Sequence, residues 1–496
     1  MLSIVLIAGC SPGTDDPGSG DGGTDTDDGV GTLDTDSVED TEDTEDTQDT
    51  EDTEDTGVET GFAEPTRLDV ACEVTFNALR YTCTVDVEPA QPVELTFARS
   101  DGLSAVRTVA GSAVESSHAL SLYFMAPEQL YDVSVKAVNW PDHTAATTIT
   151  VGAALAAVTS SLVVTGTSTM GMIGSHFPCD EAAIAVVYDT GTGDLLWYQL
   201  LDAGGTLGSL DMVQFTEDFT VLGESEGDVI EVDLMGTDII RLEALDDAFG
   251  VTAGGIFGNF HHDIMKRNDV YYVFYQEDYG GGGFDTDILD TVILFDGTGT
   301  ELARWYPIDH LTLPPDWNGD YLHTNTIFVD EAGDIYLSWL SQTTVAKIVG
   351  DWNSPDFGTP IWMLDGNGGG GFGTVTTDWS AVGAPDEFAD QHSVVVRPDG
   401  RLQLLDNGNG RGLVIDLDEV ALTATVDAAY ATHENACGPQ GTSRSTLGGN
   451  ALVGCAGEWV REYDGVTGGL LWEAEVTCPG GPVGEGASRW YPLDGW

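Results

Sequence analysis

Residues 186–197 read VVYDTGTGDLLW, and residues 292–305 read VILFDGTGTELARW. In both, a run of β-branched and aromatic residues stops at an Asp (Asp189, Asp296). A Gly-containing turn follows, and a second strand ends in Trp (Trp197, Trp305). Related copies occur at 229–242 (Asp233), 347–364 (Asp351, Trp362), 413–426 (Asp416) and 461–472 (Asp464, Trp472). Most copies are preceded by a turn and a strand, as in NDVYYVFY, AGDIYLSW, PDGRLQLLD and GGNALVGC. Six copies spaced by roughly 57 residues leave room for a four-stranded sheet each, the pattern of a repeat fold. The spacing predicts an all-β chain with a six-bladed β-propeller over 153–496. Two packed sandwiches are the alternative, and the even phase of the copies favours the propeller.

Upstream, residues 66–152 alternate apolar and polar in short runs (YTCTVDV, VELTFAR, LYDVSVKAV) separated by turn residues. They predict an amino-terminal β-sandwich of seven strands. Residues 11–65 are of another kind. GSGDGGTDTDDG and EDTEDTEDTQDTEDTEDT hold nothing that buries a core, so a disordered acidic tether is expected there.

The whole chain of 496 residues carries 84 acidic and 16 basic side chains, a formal net charge of -68. That balance excludes nucleic acid as a partner held through its phosphates. No run of apolar residues is long enough for a membrane-spanning helix. The first ten residues, MLSIVLIAGC, end in a stretch resembling a bacterial lipobox. Residues 1–10 are accordingly expected to be a lipoprotein signal, with Cys10 lipidated and the chain anchored to a membrane. Ser11 after the Cys leans towards the outer membrane or cell surface of a Gram-negative bacterium, by the same resemblance. The other six Cys form an even set, which in an exported chain implies three disulfides. Proximity in sequence suggests Cys72–Cys83 and Cys437–Cys455. Cys179–Cys478 would then join the start of the large domain to its end.

Three histidine positions share one phase of the repeat. His261 and His262, His323, and His392 each precede the first strand of a blade, the strand nearest the axis. In a propeller such positions open onto one end of the central channel. His118 and His143, and also His176, His310 and His433, fall outside this phase and read as loop residues. No HxH or HExxH spacing is present, so neither metal nor cofactor is expected.

HHDI (261–264), LHTNTIFVDEAGDIYLSW (322–339), QHSVVVRPDGRLQLLDNGNGR (391–411) and ASRWYPLDGW (487–496) together resemble the bacterial aryl-sulfate sulfotransferases. The resemblance implies an amino-terminal β-sandwich and a six-bladed propeller over 66–496. It implies transfer of a sulfuryl group from a phenolic sulfate ester to a phenol, without a nucleotide donor. By that resemblance His392 is the nucleophile, and His262 (or His261), His323 and Asn325 complete the catalytic set. The family also carries an Arg after the strand following HxN, where this chain has Leu340. Arg411, Arg444 and the closing Arg489 are the candidates for that charge, and Thr442 stands where the family has a late active-site Thr. A propeller that binds a ligand or protein without catalysis is the competing expectation.

Overall fold

The computed structural model describes residues 61–496 apart from 177–178, 180–183, 201–212, 226–227, 244–259, 280–286, 316, 367–373, 383, 458, 479–488 and 494–496. The expected signal, Cys10 and the tether up to residue 60 lie outside the described residues; the last residues assigned to the tether are instead held in place, with Pro65 buried and Glu64 paired to His143. Residues 60–496 form one compact unit. It is built almost wholly of antiparallel strands.

Between residues 67 and 150 seven strands form two sheets. Arg67–Val74, Tyr81–Glu88 and Ser117–Leu122 make a three-stranded sheet. Arg107–Gly111, Val93–Arg99, Leu130–Ala137 and Trp140–Thr150 make a four-stranded one. Strict alternation drives this. Tyr81, Cys83, Val85 and Val87 are buried while Thr82, Thr84 and Asp86 between them are half-buried or exposed, the period-2 signature of a strand with one covered face. Register sets Cys72 directly opposite Cys83, and the two are bonded. Side chains of both sheets join one hydrophobic core that continues into the sheets beyond residue 160.

Six further sheets follow. Four run in chain order: Val213–Phe215 to Asp238–Leu242, Phe260–Arg267 to Glu301–Trp305, Thr324–Val329 to Pro360–Asp365, and His392–Val396 to Thr423–Ala431 with Thr376–Asp378 on its edge. The other two are closed by distant segments. Trp490–Pro492 pairs with Met172–His176 in the first sheet, and Ser161–Gly166 pairs with Leu470–Thr477 in the last. The chain's end therefore completes its beginning, and Cys179–Cys478 bonds the same two regions. Cys437–Cys455 is the third pair, so all three pairings expected from the sequence are present.

The Asp–turn–Trp repeat has a physical role. The carboxylate of Asp189 accepts the N–H groups of Gly191 and Thr192, and Asp233, Asp296 and Asp464 cap their turns in the same way. In the 413–426 copy it is Asp418, not Asp416, that accepts the turn N–H groups of Val420 and Ala421. The buried Trp residues reach to the following sheet. Trp197 Nε1 donates to the Leu234 carbonyl and Trp305 to that of Gly358. Trp362 donates to the Glu419 carboxylate, and Trp472 of the last sheet donates to Thr190 of the first.

Histidines expected on loops are placed otherwise. His118 is buried in a strand with Nε2 against the Gln91 carbonyl, and His176 is buried at the end of Met172–His176. His143 lies within Trp140–Thr150 beside Glu64, and His310 ends a one-turn helix, stacked on Trp305. Only His433 is in a loop, stacked on Trp459. The strand pairing of their segments, not the turn signals nearby, places His118, His143 and His176.

Candidate active site

The site is assembled from the starts of neighbouring strands. Phe260–Arg267, Thr324–Val329, His392–Val396, Thr442–Ser445 and Trp490–Pro492 lie side by side in that order. Three of them break register at the same point. Two residues, His262 and Asp263, are extra against the partner strand; Asn325 is extra in the next, and one residue after His392 in the third. Bulges of this kind re-aim side chains. At or beside each bulge a non-glycine residue takes the left-handed conformation: His262 (φ 58°), His323 (φ 48°) and Ser393 (φ 55°). That conformation costs about 1–2 kcal/mol for each such residue, and strain of this sort concentrates at functional sites.

The imidazoles converge. The ring centroids of His261 and His262 are 4.8 Å apart, and those of His262 and His323 are 4.9 Å apart, both edge to face. His261 Nδ1 and His262 Nδ1 are 2.6 Å apart, so one ring donates and the other accepts. His262 is pushed well below the usual imidazole range by burial, by His261, His323 and His392, and by the Arg489 charge. Burial likewise lowers His261 to about 3. Its Nε2 lies 3.3 Å from Oδ1 of the buried Asp290, whose carboxyl burial pushes up to about 7. Neither atom of that pair is aligned for a hydrogen bond.

His392 is buried, with Nδ1 2.9 Å from the Asp390 carbonyl and 3.2 Å from Asn407 Oδ1. A carbonyl oxygen only accepts, so Nδ1 carries the proton and the neutral ring has its lone pair at Nε2. Asn407 is itself oriented by donating to the Gly438 and Gln440 carbonyls. Burial first, and the Arg489 charge second, lower His392 to about 3. His323 goes the other way: Nδ1 is 2.6 Å from Asp320 Oδ2, and that hydrogen bond raises it above the usual value. One cluster thus holds a neutral imidazole and an imidazole biased towards the cation.

The remaining expected residues brace this group. Asn325 is fully buried; its amide donates to the Gln391 carbonyl, beside His392. Thr442 is also buried, and its hydroxyl accepts the Trp490 N–H at 2.6 Å. Of the three candidate arginines only Arg489 joins the imidazoles. It is 1% exposed, bonds the carbonyls of His262 and Asn325, and lies 2.6 Å from Asp263. Asp263 also accepts the Ile327 N–H, linking two strands. Arg411 is held by Asp406 and the carbonyls of Pro385 and Glu387. Arg444 stacks on Tyr491 and lines a different cavity with Met265, Phe328 and Val395. Leu340 opens a short turn, its N–H bonded to the His323 carbonyl. Phe260 and Trp339 are core residues.

Sequence reasoning gave no role to Asp320 or Asn407 and none beside the imidazoles to Asp290; Asp263 it noted as the carboxylate adjoining His262. Asp263 and Asn407 had signals, in HHDI and DNGN; Asp320 and Asp290 look like any others in a chain so acidic. Among the described residues, no group of three or more His, Cys, Asp or Glu is set to hold a metal ion.

The sequence pattern of the arylsulfotransferase (ASST) family matches residues 122–426, more than half of the chain. The chain belongs to that family. No curated protein matches it significantly. Solved structures with some likeness include a protein of unknown function from Bacteroides caccae (10% identity, 63% of this chain and 93% of that one, TM-score 0.38). Others are an auxiliary nutrient binding protein from Bacteroides ovatus (12%, 80% and 81%, TM-score 0.33) and a virginiamycin B lyase from Staphylococcus aureus (8%, 64% and 100%, TM-score 0.32). Likeness at this level carries no conclusion about this chain.

Proposed function

We propose that the protein transfers a sulfuryl group from a phenolic sulfate ester to a phenolic acceptor through a sulfo-histidine at His392. The observation that carries this reading is the pairing of opposite protonation states in one cluster: His392 neutral with Nε2 as its lone pair, and His323 biased to the cation by Asp320. In the first half-reaction the Nε2 pair attacks sulfur. The sulfur–aryl oxygen bond breaks, its electrons go to the phenolate oxygen, and His323 delivers the proton. In the second, the acceptor's oxygen attacks the N-bound sulfur, its proton passes to His323, and the N–S electrons return to His392. Charge in such a loose transition state sits on the peripheral oxygens. His262 and the second amide hydrogen of Asn325 are the proposed donors to those oxygens, and the buried Arg489 supplies the positive field that Leu340 does not.

The architecture we infer is an amino-terminal β-sandwich followed by a six-bladed β-propeller. The Trp donors running from one sheet to the turn of the next, including last to first, support it. We further propose export and a lipid anchor at Cys10, on the IAGC stretch alone.

The test is turnover of a chromogenic aryl sulfate with added phenol. Aryl-sulfate-dependent sulfation of the acceptor is expected. A folded protein inactive on a range of aryl sulfates would favour the non-catalytic binding reading.

A further inference from the structure

The strands that begin with the imidazole cluster end at a second feature. Three residues beyond His262, Asn325 and His392 stand Met265, Phe328 and Val395, and these line a cavity of about 240 Å³. The cavity therefore lies further along the same strands, beyond the bulges. Its walls are about evenly apolar and polar, with Phe215 and Tyr491 as aromatic faces.

One cation in this wall is uncommitted. The Arg444 guanidinium stacks on the Tyr491 ring, 4.2 Å from its centroid. Its Nε is buried without a hydrogen-bond partner, and among the described residues no carboxylate lies within ion-pair distance of it. Among the described residues it shares this with Arg80 and Arg107, which also lie over aromatic rings, while the other arginines are paired to carboxylates. The other cation there, Lys266, is neutralised by Glu231 and Asp218. Thr216 and Gln214 add neutral polar groups, and Glu217 is the acidic residue of the rim, exposed and paired to Arg267.

We propose that this cavity is a second ligand site, distinct from the imidazole cluster, that takes a small organic anion with one acid group on a flat apolar body. Stacking on Tyr491 fixes the guanidinium plane and leaves its donor edge for bidentate recognition of a carboxylate or sulfonate. The apolar wall covers the body of the ligand. The cavity has room for a small ligand. The site does not depend on the sulfotransferase reading, because none of its residues belongs to the imidazole cluster.

Benzoate, which carries no transferable sulfuryl group, is the probe, with neutral benzamide as its control, both titrated calorimetrically into the full chain. Wild type is expected to bind benzoate, more weakly at high salt, and to bind benzamide at least about tenfold more weakly. Arg444→Met should weaken benzoate by about tenfold or more, the loss of one charge-assisted pair. Glu217→Gln should tighten it, by removing the rim's negative charge. His392→Ala should leave it unchanged. No benzoate binding to wild type, wild-type affinity in Arg444→Met, or loss of binding in His392→Ala overturns the proposal. Should Arg444→Met not fold, Glu217→Gln decides, and unchanged affinity there counts against the site.

Discussion

His323 Nδ1 and Asp320 Oδ2 are 2.6 Å apart, and the same carboxylate accepts the His323 main-chain N–H at 3.2 Å. Asp320 therefore fixes both the ring and its left-handed backbone, and it stabilises the protonated imidazole. His262, the buried Asp290, His261 and His392 are the other titratable groups that bear on that ring.

Asp320→Asn should lower the rate most where the leaving phenol needs its proton most. With phenyl sulfate as donor we expect kcat to fall by roughly 10²-fold, the low end of general-acid contributions. With 4-nitrophenyl sulfate the drop should be much smaller. Equal losses for both donors would mean that Asp320 only shapes the loop.

The pH profile follows from the two shifts. His392 is neutral well below its ordinary value, so the acid limb should lie far below pH 6.5, towards its value of about 3. His323 is raised, so the protonated acid is lost only as pH climbs through a value above 6.5. Initial rates with saturating donor should give a bell broad on the acid side. Asp320→Asn should move the alkaline limb down and leave the acid limb in place.

Arg489 and Asp263 form a buried pair, and each binds main chain of the site strands. Arg489→Met leaves the Asp263 charge without its partner and should destabilise by about 3–5 kcal/mol. Adding Asp263→Asn should restore part of that stability. It should not restore activity, because the field on His392 is still missing. Chemical unfolding of the two variants alongside turnover separates these effects.

The Cys10 proposal is checked by labelled palmitate in cells expressing the native gene. Label and membrane retention should both vanish in Cys10→Ala.

The strand repeat, the six sheets and two of the disulfide pairs were legible in the sequence because each rests on local chemistry: an Asp that caps its own turn, a Trp at a fixed offset, Cys residues close in the chain; Cys179 and Cys478, 299 residues apart, were paired as the two left over. The common phase of His262, His323 and His392 was legible because the strands recur at a regular spacing, but the strands expected to be first in their sheets, at 270–275, 335–340 and 402–406, are second, and His261, His262 and His392 lie within the first strands rather than before them. What stayed hidden depends on contacts between distant segments. Nothing near Asp320 or Asp290 distinguishes them from dozens of surface carboxylates; burial and a neighbouring imidazole do. Arg489 was one of three candidates until the closing strand set it against Asn325, 164 residues away in sequence. Arg444, two residues beyond Thr442, extends down its strand into the other cavity.

The central claim is that His392 itself carries the sulfuryl group. Its most direct test mixes stoichiometric enzyme with an aryl sulfate and no acceptor, and reads released phenol together with intact mass. The account predicts a burst of one phenol per site, a mass gain of one sulfuryl group on the peptide containing His392, and loss of both in His392→Ala. Steady turnover without a burst, or a sulfuryl group found on the His262 or His323 peptide, would contradict it.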